Sequence, residues 1–273
     1  MNYFFLSLGL AATLAPLARA ADAPLNTLTP AERKAGWVLL FDGKSMDGWV
    51  DPRTKTPPGD AWTIDDQCLK AQARPRIGED LFSQKTYRDF ELAFDFKISP
   101  AGNSGVKYRV QDHFFVTPTP AGSPKERFEV QVERSFSNRG PRPDHGGDYV
   151  VGFEYQITDD AANKDALGNV KHTAGALYDM VAPSSHASLP VGEFNHARIV
   201  VRGNHVEHWL NGVKVVDSSL DSDAALAGIR KRWRDSPHIL EMMAKEPRKD
   251  CPITLQNHGD SAWFRNIKIR EIK

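Results

Sequence analysis

Phe90-Glu91-Leu92-Ala93-Phe94-Asp95-Phe96-Lys97-Ile98 decides the fold. Its apolar residues at 90, 92, 94, 96 and 98 alternate with Glu91, Ala93, Asp95 and Lys97, which is the two-residue period of a long strand with one buried face. Downstream, Arg198 to Arg202, Gly203-Asn204, His205 to Leu210, Asn211-Gly212 and Val213 to Val216 read as a three-stranded meander. Both dipeptides suit two-residue hairpin turns, because Gly and Asn tolerate the positive φ such turns require. Upstream, Trp62 to Ile64, Asp65-Asp66 and Gln67 to Ala71 predict another hairpin. Ile253 to Gln256 and Phe264 to Ile272 are closing strands, the last expected beside Trp37 to Phe41. Short strands punctuated by turns predict an all-β sandwich or barrel rather than an alternating βα fold.

Three regions interrupt the pattern. Residues 51–60 and 116–127 are rich in Pro, Gly and charge and read as loops, and 135–148 as an irregular excursion. Residues 222–246 are helical: Leu226, Ile229 and Trp233 recur at i, i+3 and i+7, and Pro237 starts a second short helix through Met243. Arg230, Lys231, Arg232 and Arg234 there read as a solvated basic face, or as a lid or partner surface.

No repeat or composition shift divides residues 36–273, so a single domain is expected, preceded by a leader at 21–35. The apolar run Tyr3 to Leu17, followed by Ala18-Arg19-Ala20, reads as a signal peptide over 1–20 and predicts an exported protein, periplasmic or secreted. No later apolar run approaches the roughly 20 residues of a membrane span, so no membrane insertion is expected. Lys plus Arg and Asp plus Glu both total 35, which leaves no net field to attract nucleic acid and favours a neutral small-molecule partner. Cys68 and Cys251 are too few for a four-cysteine zinc site; whether they pair is left open, as is the oligomeric state.

The richest chemistry lies in Gly152-Phe153-Glu154-Tyr155-Gln156-Ile157-Thr158-Asp159-Asp160. On a strand, Phe153, Tyr155 and Ile157 anchor one face while Glu154, Gln156 and Thr158 share the other. Glu154 and Gln156, roughly 7 Å apart, suit neighbouring groups of one small polar ligand such as a sugar. Asp159 and Asp160 then fix the turn at the strand's end.

In Asn103-Ser104-Gly105-Val106-Lys107-Tyr108-Arg109, core positions for Val106, Tyr108 and Val110 would put Lys107, Arg109 and Gln111 on the polar side. Arg109 offers a planar fork for a carboxylate or two sugar oxygens, or an ion pair with Glu154 or Glu91. His172 precedes the small-residue run that ends in Tyr178, either a proton donor or a buried hydroxyl on a carbonyl. His258, before Gly259 at a strand end, suits a base, an acid or a metal ligand.

Glu129, Gln131 and Glu133 share a strand face, but with the wrong middle residue for a retaining glucanase pair. Fixed-spacing metal motifs are absent, so a divalent ion would have to use scattered Glu154, His145, His172 or His258.

Taken in order, Gly36-Trp37-x-x-Leu40-Phe41-Asp42-Gly43-Lys44, Gly48-Trp49, Asn103 to Arg109, Glu154 to Asp160, Gly175 to Asp179, Trp209 to Lys214 and Leu255 to Asn266 resemble the 3-keto-disaccharide hydrolase family over residues 36–273. The resemblance implies a concanavalin A-like jelly-roll β-sandwich and an exported enzyme acting on 3-keto-glycosides. A carbonyl at sugar C3 acidifies the C2 hydrogen, so a base can remove it and expel the C1 substituent before water adds. On that chemistry His258 or Tyr178 would move the proton and Arg109 would stabilise the enolate. Glu154, Gln156, Asn103, Trp209 and Arg265 would hold the sugar, and a divalent ion could assist as a Lewis acid. A non-catalytic carbohydrate-binding module on the same sandwich is the alternative. The chain departs from the family in the 222–246 helices and the 135–148 excursion.

Overall fold

The structure is a computed structural model that describes residues 24–117, 119, 123–245 and 248–272. The signal-peptide expectation at 1–20 lies outside the described residues. The strands in chain order are β1 (Val38–Leu39), β2 (Trp49–Val50), β3 (Trp62–Asp65), β4 (Cys68–Ala71), β5 (Ile77–Gly78), β6 (Leu81–Tyr87) and β7 (Phe90–Ile98). There follow β8 (Asn103–Val116), β9 (Gly146–Thr158), β10 (Asn195–Arg202), β11 (His205–Leu210), β12 (Val213–Ser219), β13 (Cys251–Leu255) and β14 (Ala262–Glu271). The helices are α1 (Pro30–Lys34), α2 (Phe128–Ser137), α3 (Asp223–Arg232) and α4 (Pro237–Ala244).

The strands form the expected sandwich. One sheet runs β12-β11-β10-β7-β14-β4-β3 with β1 on β14; the other runs β2-β6-β13-β8-β9-β5. β7 sits near the middle of the first sheet because Phe90, Leu92, Phe94, Phe96 and Ile98 all bury against the second. Glu91 is buried too, between Arg198 and Arg270 on the outer side. Facing residues of the second sheet are Val106, Tyr108, Phe153, Tyr155 and Ile157, and Tyr155 meets Phe94 edge-on at 5.9 Å between ring centres. His208 fills the gap between the sheets, 2.9 Å from the Tyr108 hydroxyl and from the Gly175 carbonyl. Burial pushes its imidazole down to about 4, so the core histidine is neutral.

Local turn chemistry explains the hairpins. Asn211 and Gly212 both adopt left-handed φ, as the β11–β12 turn requires. In the β3–β4 hairpin the left-handed pair is Asp66-Gln67, one residue later than the sequence predicts. β1 pairs with β14, as expected for the closing strand.

Two expectations are corrected. Residues 128–137 form α2, not a strand and loop, so Glu129, Gln131 and Glu133 do not share a face. The local Glu-Val-Gln-Val-Glu alternation imitates a strand, whereas the burial of Val132 and Ser135 and the packing of Phe136 follow the helical period. Residues 146–148, expected as loop, begin β9. Among the described residues no helix is long and apolar enough to cross a membrane. Both cysteines are free and buried, and burial pushes the Cys68 thiol up to about 11.

Candidate active site

The outer face of β8, β9 and β13 carries an unusual concentration of buried polar groups. Because Phe153, Tyr155 and Ile157 point into the sandwich, Glu154 and Gln156 must point out of it. Cross-strand register places Lys107 opposite both Glu154 and Thr254, and Gly105 opposite Gln156. Gly105 is small for a reason: a Cβ there would lie 2.4 Å from Glu154 Oε1, so the glutamate side chain lies across the glycine.

Lys107 is buried, with Nζ 3.6 Å from Asp80 Oδ2 and 4.0 Å from Glu154 Oε2. Asp148, from the start of β9, adds a third carboxylate to this field. Burial works against the ammonium, but Asp80 and Glu154 overcome it and hold Lys107 above the usual lysine range. Burial raises Asp80 and Glu154, with Lys107 opposing in both. Asp148 is pushed well above the carboxylate range by burial and by Asp80. Lys107 faces Asp80 and Glu154 and stays charged, while Asp148 is paired with Arg53 at 3.4 Å; the shielded carboxylates retain protons more readily than in water.

Gln156 is fully buried, yet neither its oxygen nor its nitrogen has a hydrogen-bond partner among the described residues. The same holds for Thr254 Oγ1, Gln256 Oε1, Asn103 Oδ1, Asp148 Oδ1 and Asp80 Oδ2. Buried polar atoms are nearly always satisfied, so this cluster makes the face the candidate site for an external polar ligand.

The rim comes from elsewhere in the chain. Residues 175–178 pair along the free edge of β9, and the Tyr178 amide donates to the Glu154 carbonyl at 3.0 Å. The Tyr178 hydroxyl donates to Asp165 Oδ2 at 2.8 Å, and burial holds it above the usual phenol range. Arg232, the last residue of α3, reaches over the Tyr178 ring and pairs with Asp179. His258 is exposed at the rim, near enough for its charge to act on Glu154 and Asp80.

The structure thus brings together Glu154, Gln156, Asn103, Tyr178 and His258 of the sequence candidates, and it places the others elsewhere. Arg109 has left-handed φ within a β-bulge between Tyr108 and Asp112, which breaks the expected alternation. Its guanidinium goes to Asp89 and to the carbonyls of Gly203 and Lys249 at the end of the sandwich. Trp209 and Arg265 lie on the outer face of the other sheet, where Trp209 Nε1 donates to Glu207 and Arg265 covers the Phe194 ring.

The scattered metal candidates share no common ligand set. His172 is engaged by Asp165 and Asp179, and His145 is exposed ahead of β9. Among the described residues, the one trio of ligand atoms within 4.8 Å of each other is His205, Glu207 and Asp217, on the far sheet, where Lys214 already bridges the two carboxylates. Sequence reasoning placed Lys107 on the polar side without a role, read Arg232 as part of a solvated basic face or a lid or partner surface, whereas it is largely buried against Asp179, and passed over Asp80 and Asp148. The paired Gly105 and Lys107 on the polar face of β8 were the available signal.

The domain family described as 3-keto-alpha-glucoside-1,2-lyase-like matches residues 36–270. A 3-keto-disaccharide hydrolase from Bacteroides thetaiotaomicron is 30% identical over 249 residues, covering 86% of this chain and 78% of the relative. A crystal structure of a candidate glycosyl hydrolase from Parabacteroides distasonis superposes with a TM-score of 0.68 at 24% identity, covering 92% of this chain and 100% of that one. A second such structure from the same organism gives 0.58 at 26% identity, with 86% and 99% covered.

Proposed function

Because this chain belongs to the 3-keto-alpha-glucoside-1,2-lyase-like family, we propose that it is an exported carbohydrate-active enzyme that cleaves 3-keto-glycosides by eliminating the C1 substituent and then adding water. The observation that carries this reading is the set of buried, unsatisfied polar groups around Glu154 and Lys107. Gln156, Thr254, Gln256 and Asn103 supply the donors and acceptors that sugar hydroxyls and a keto oxygen need.

In this reading the Glu154 carboxylate removes the C2 proton. Its burial makes it a stronger base than a solvated glutamate. The Lys107 ammonium, fixed beside it, stabilises the negative charge that develops on the C3 oxygen. The C2 electron pair forms the new double bond as the C1–O bond breaks, and His258 at the rim protonates the departing oxygen. Water then adds at C1 and a proton returns to C2, so the net change is hydrolysis. Tyr178 keeps its proton, which suits it to orient the sugar rather than to act as the base. Arg109, clamped at the sandwich end, has no part in this scheme.

The test is to incubate the purified protein with a 3-keto-glucoside and with its unoxidised parent, with and without chelator. Turnover of the keto sugar alone, lost in Glu154→Gln, is expected. Full activity in Glu154→Gln would remove that residue from the chemistry. Binding of either sugar without turnover would replace the enzyme reading with a carbohydrate-binding module.

A further inference from the structure

Arg230 and Lys231 of α3 and Arg234 just beyond it face solvent, but Arg232 does not. Only 13% of its side chain is exposed; one guanidinium nitrogen lies 3.1 Å from Asp179 Oδ2, and its carbon sits 4.8 Å from the centre of the Tyr178 ring. Asp179 is held in turn by His172, whose Nε2 is 3.3 Å from Asp179 Oδ1 and whose Nδ1 is 2.9 Å from Asp165 Oδ1. Asp165 closes the circuit by accepting the Tyr178 hydroxyl, and the His172 and Tyr178 rings stack at 4.4 Å. Carboxylate and cation alternate along Asp165, His172, Asp179 and Arg232, so the chain of charges balances only when the imidazole carries both protons. Burial opposes that state, but Asp165 and Asp179 overcome it and raise His172 to about 9. Asn169 Nδ2, 3.0 Å from Nε2, and the Asp165 carbonyl, 3.1 Å from Nδ1, are the neighbours that would also suit a neutral ring.

Two backbone features show that this arrangement is imposed. Asp179 has φ +61, a left-handed conformation that costs a non-glycine residue energy and persists where the surroundings over-determine it. Gly228 lets α3 sit flush on that strained residue: a Cβ there would lie 2.9 Å from the Asp179 carbonyl and 2.8 Å from Met180 Cα. The helical segment is therefore docked where its last residue enters the groove, and the Arg232 charge is felt at Glu154.

We propose that Arg232 is a substrate-contacting cation of the groove and that His172 is its positioning residue, acting through Asp179. This rests on reading the groove as the active site, and the two readings fail separately, because one arm of the test needs no substrate. In that arm, nitrogen NMR of the full chain follows the Arg232 Nε–H and the His172 ring nitrogens from pH 6 to pH 10. The Arg232 resonance is expected to shift with the His172 titration in the wild-type protein and to lose its hindered rotation in His172→Asn. An Arg232 resonance that ignores the His172 titration overturns the proposal, whatever the protein turns over. In the kinetic arm, Arg232→Lys lowers kcat/KM for the 3-keto-glucoside by about 10²-fold, since an ammonium cannot reproduce the planar fork. His172→Asn lowers kcat by about tenfold and removes the alkaline limb of the wild-type profile, which a residue serving only stability would not do. Wild-type kinetics and an unchanged pH profile in His172→Asn would refute the positioning role.

Discussion

Gly105→Ala tests the placement of Glu154 with one methyl group. The added Cβ would stand 2.4 Å from Glu154 Oε1 and 2.9 Å from both Cγ and Cδ. Non-bonded carbon contacts settle near 3.5 Å, so the carboxylate must retreat by about 1 Å. The strand itself has no reason to yield, because Gly105 does not occupy the left-handed region and alanine suits its backbone. Restricting the unfolded chain would even favour the fold by about 0.4–1 kcal/mol, so Tm should hold or rise. A misplacement of about 1 Å at a reacting group costs on the order of 10²-fold in rate, equivalent to about 2.7 kcal/mol of barrier. The assay pairs kcat for a 3-keto-glucoside with a thermal melt, and Gly59→Ala, whose Cβ would meet nothing within 4 Å, serves as the silent control. A stable Gly105→Ala protein with wild-type kcat would show that the position of Glu154 does not matter to turnover.

Three further outcomes follow from the same geometry. Lys107→Met should cut kcat by about 10²–10³-fold with a smaller change in KM, as expected for a group that stabilises developing charge; equal effects on both would place it in ground-state binding instead. Arg109→Ala should cost about 3 kcal/mol of stability by urea titration, because it strips a buried guanidinium from Asp89 and two carbonyls, while the folded fraction keeps near-wild-type kcat; a selective loss of kcat would return Arg109 to the active site. His172 should make stability fall on the alkaline side. Its pKa is raised from 6.5 to about 9, so its contribution is fully present below about pH 6.5 and is lost as pH rises through about 9, amounting to about 3 kcal/mol. A flat urea-midpoint profile over that window, or an identical decline in His172→Asn, would contradict it.

Strand existence and facing were legible because both are local: a two-residue period at 90–98 and 153–157, and turn residues such as Asn211-Gly212, act within a few positions. What failed was whatever depended on a single irregularity or on long-range pairing. One bulge at Arg109 took Arg109 and Val110 out of the alternation before Phe114 rejoined the core beside Val106 and Tyr108, and an arginine in left-handed φ announces no bulge in sequence. Helix α2 hid behind five residues that alternate.

The larger difficulty is that a sandwich has two outer faces, and alternation does not say which sheet a strand joins. Trp209, Arg265 and Glu154 are all outward residues, yet they lie on opposite sides of the molecule. The faces differ in how their polar groups are satisfied. On the Trp209 side the cations are committed: Arg198 to Glu91, Arg265 to Asp95 and the Phe194 ring, and Lys214 to Glu207. On the Glu154 side, one lysine serves Asp80 and Glu154 at 3.6 and 4.0 Å, and Gln156 is buried with both polar atoms unpaired. Side chains 80, 107, 148, 154 and 232 reach that face from four separate segments, with Asp148 and Glu154 both on β9. Only the folded chain could reveal it as the face that folding leaves electrostatically incomplete, which is the property a polar substrate requires.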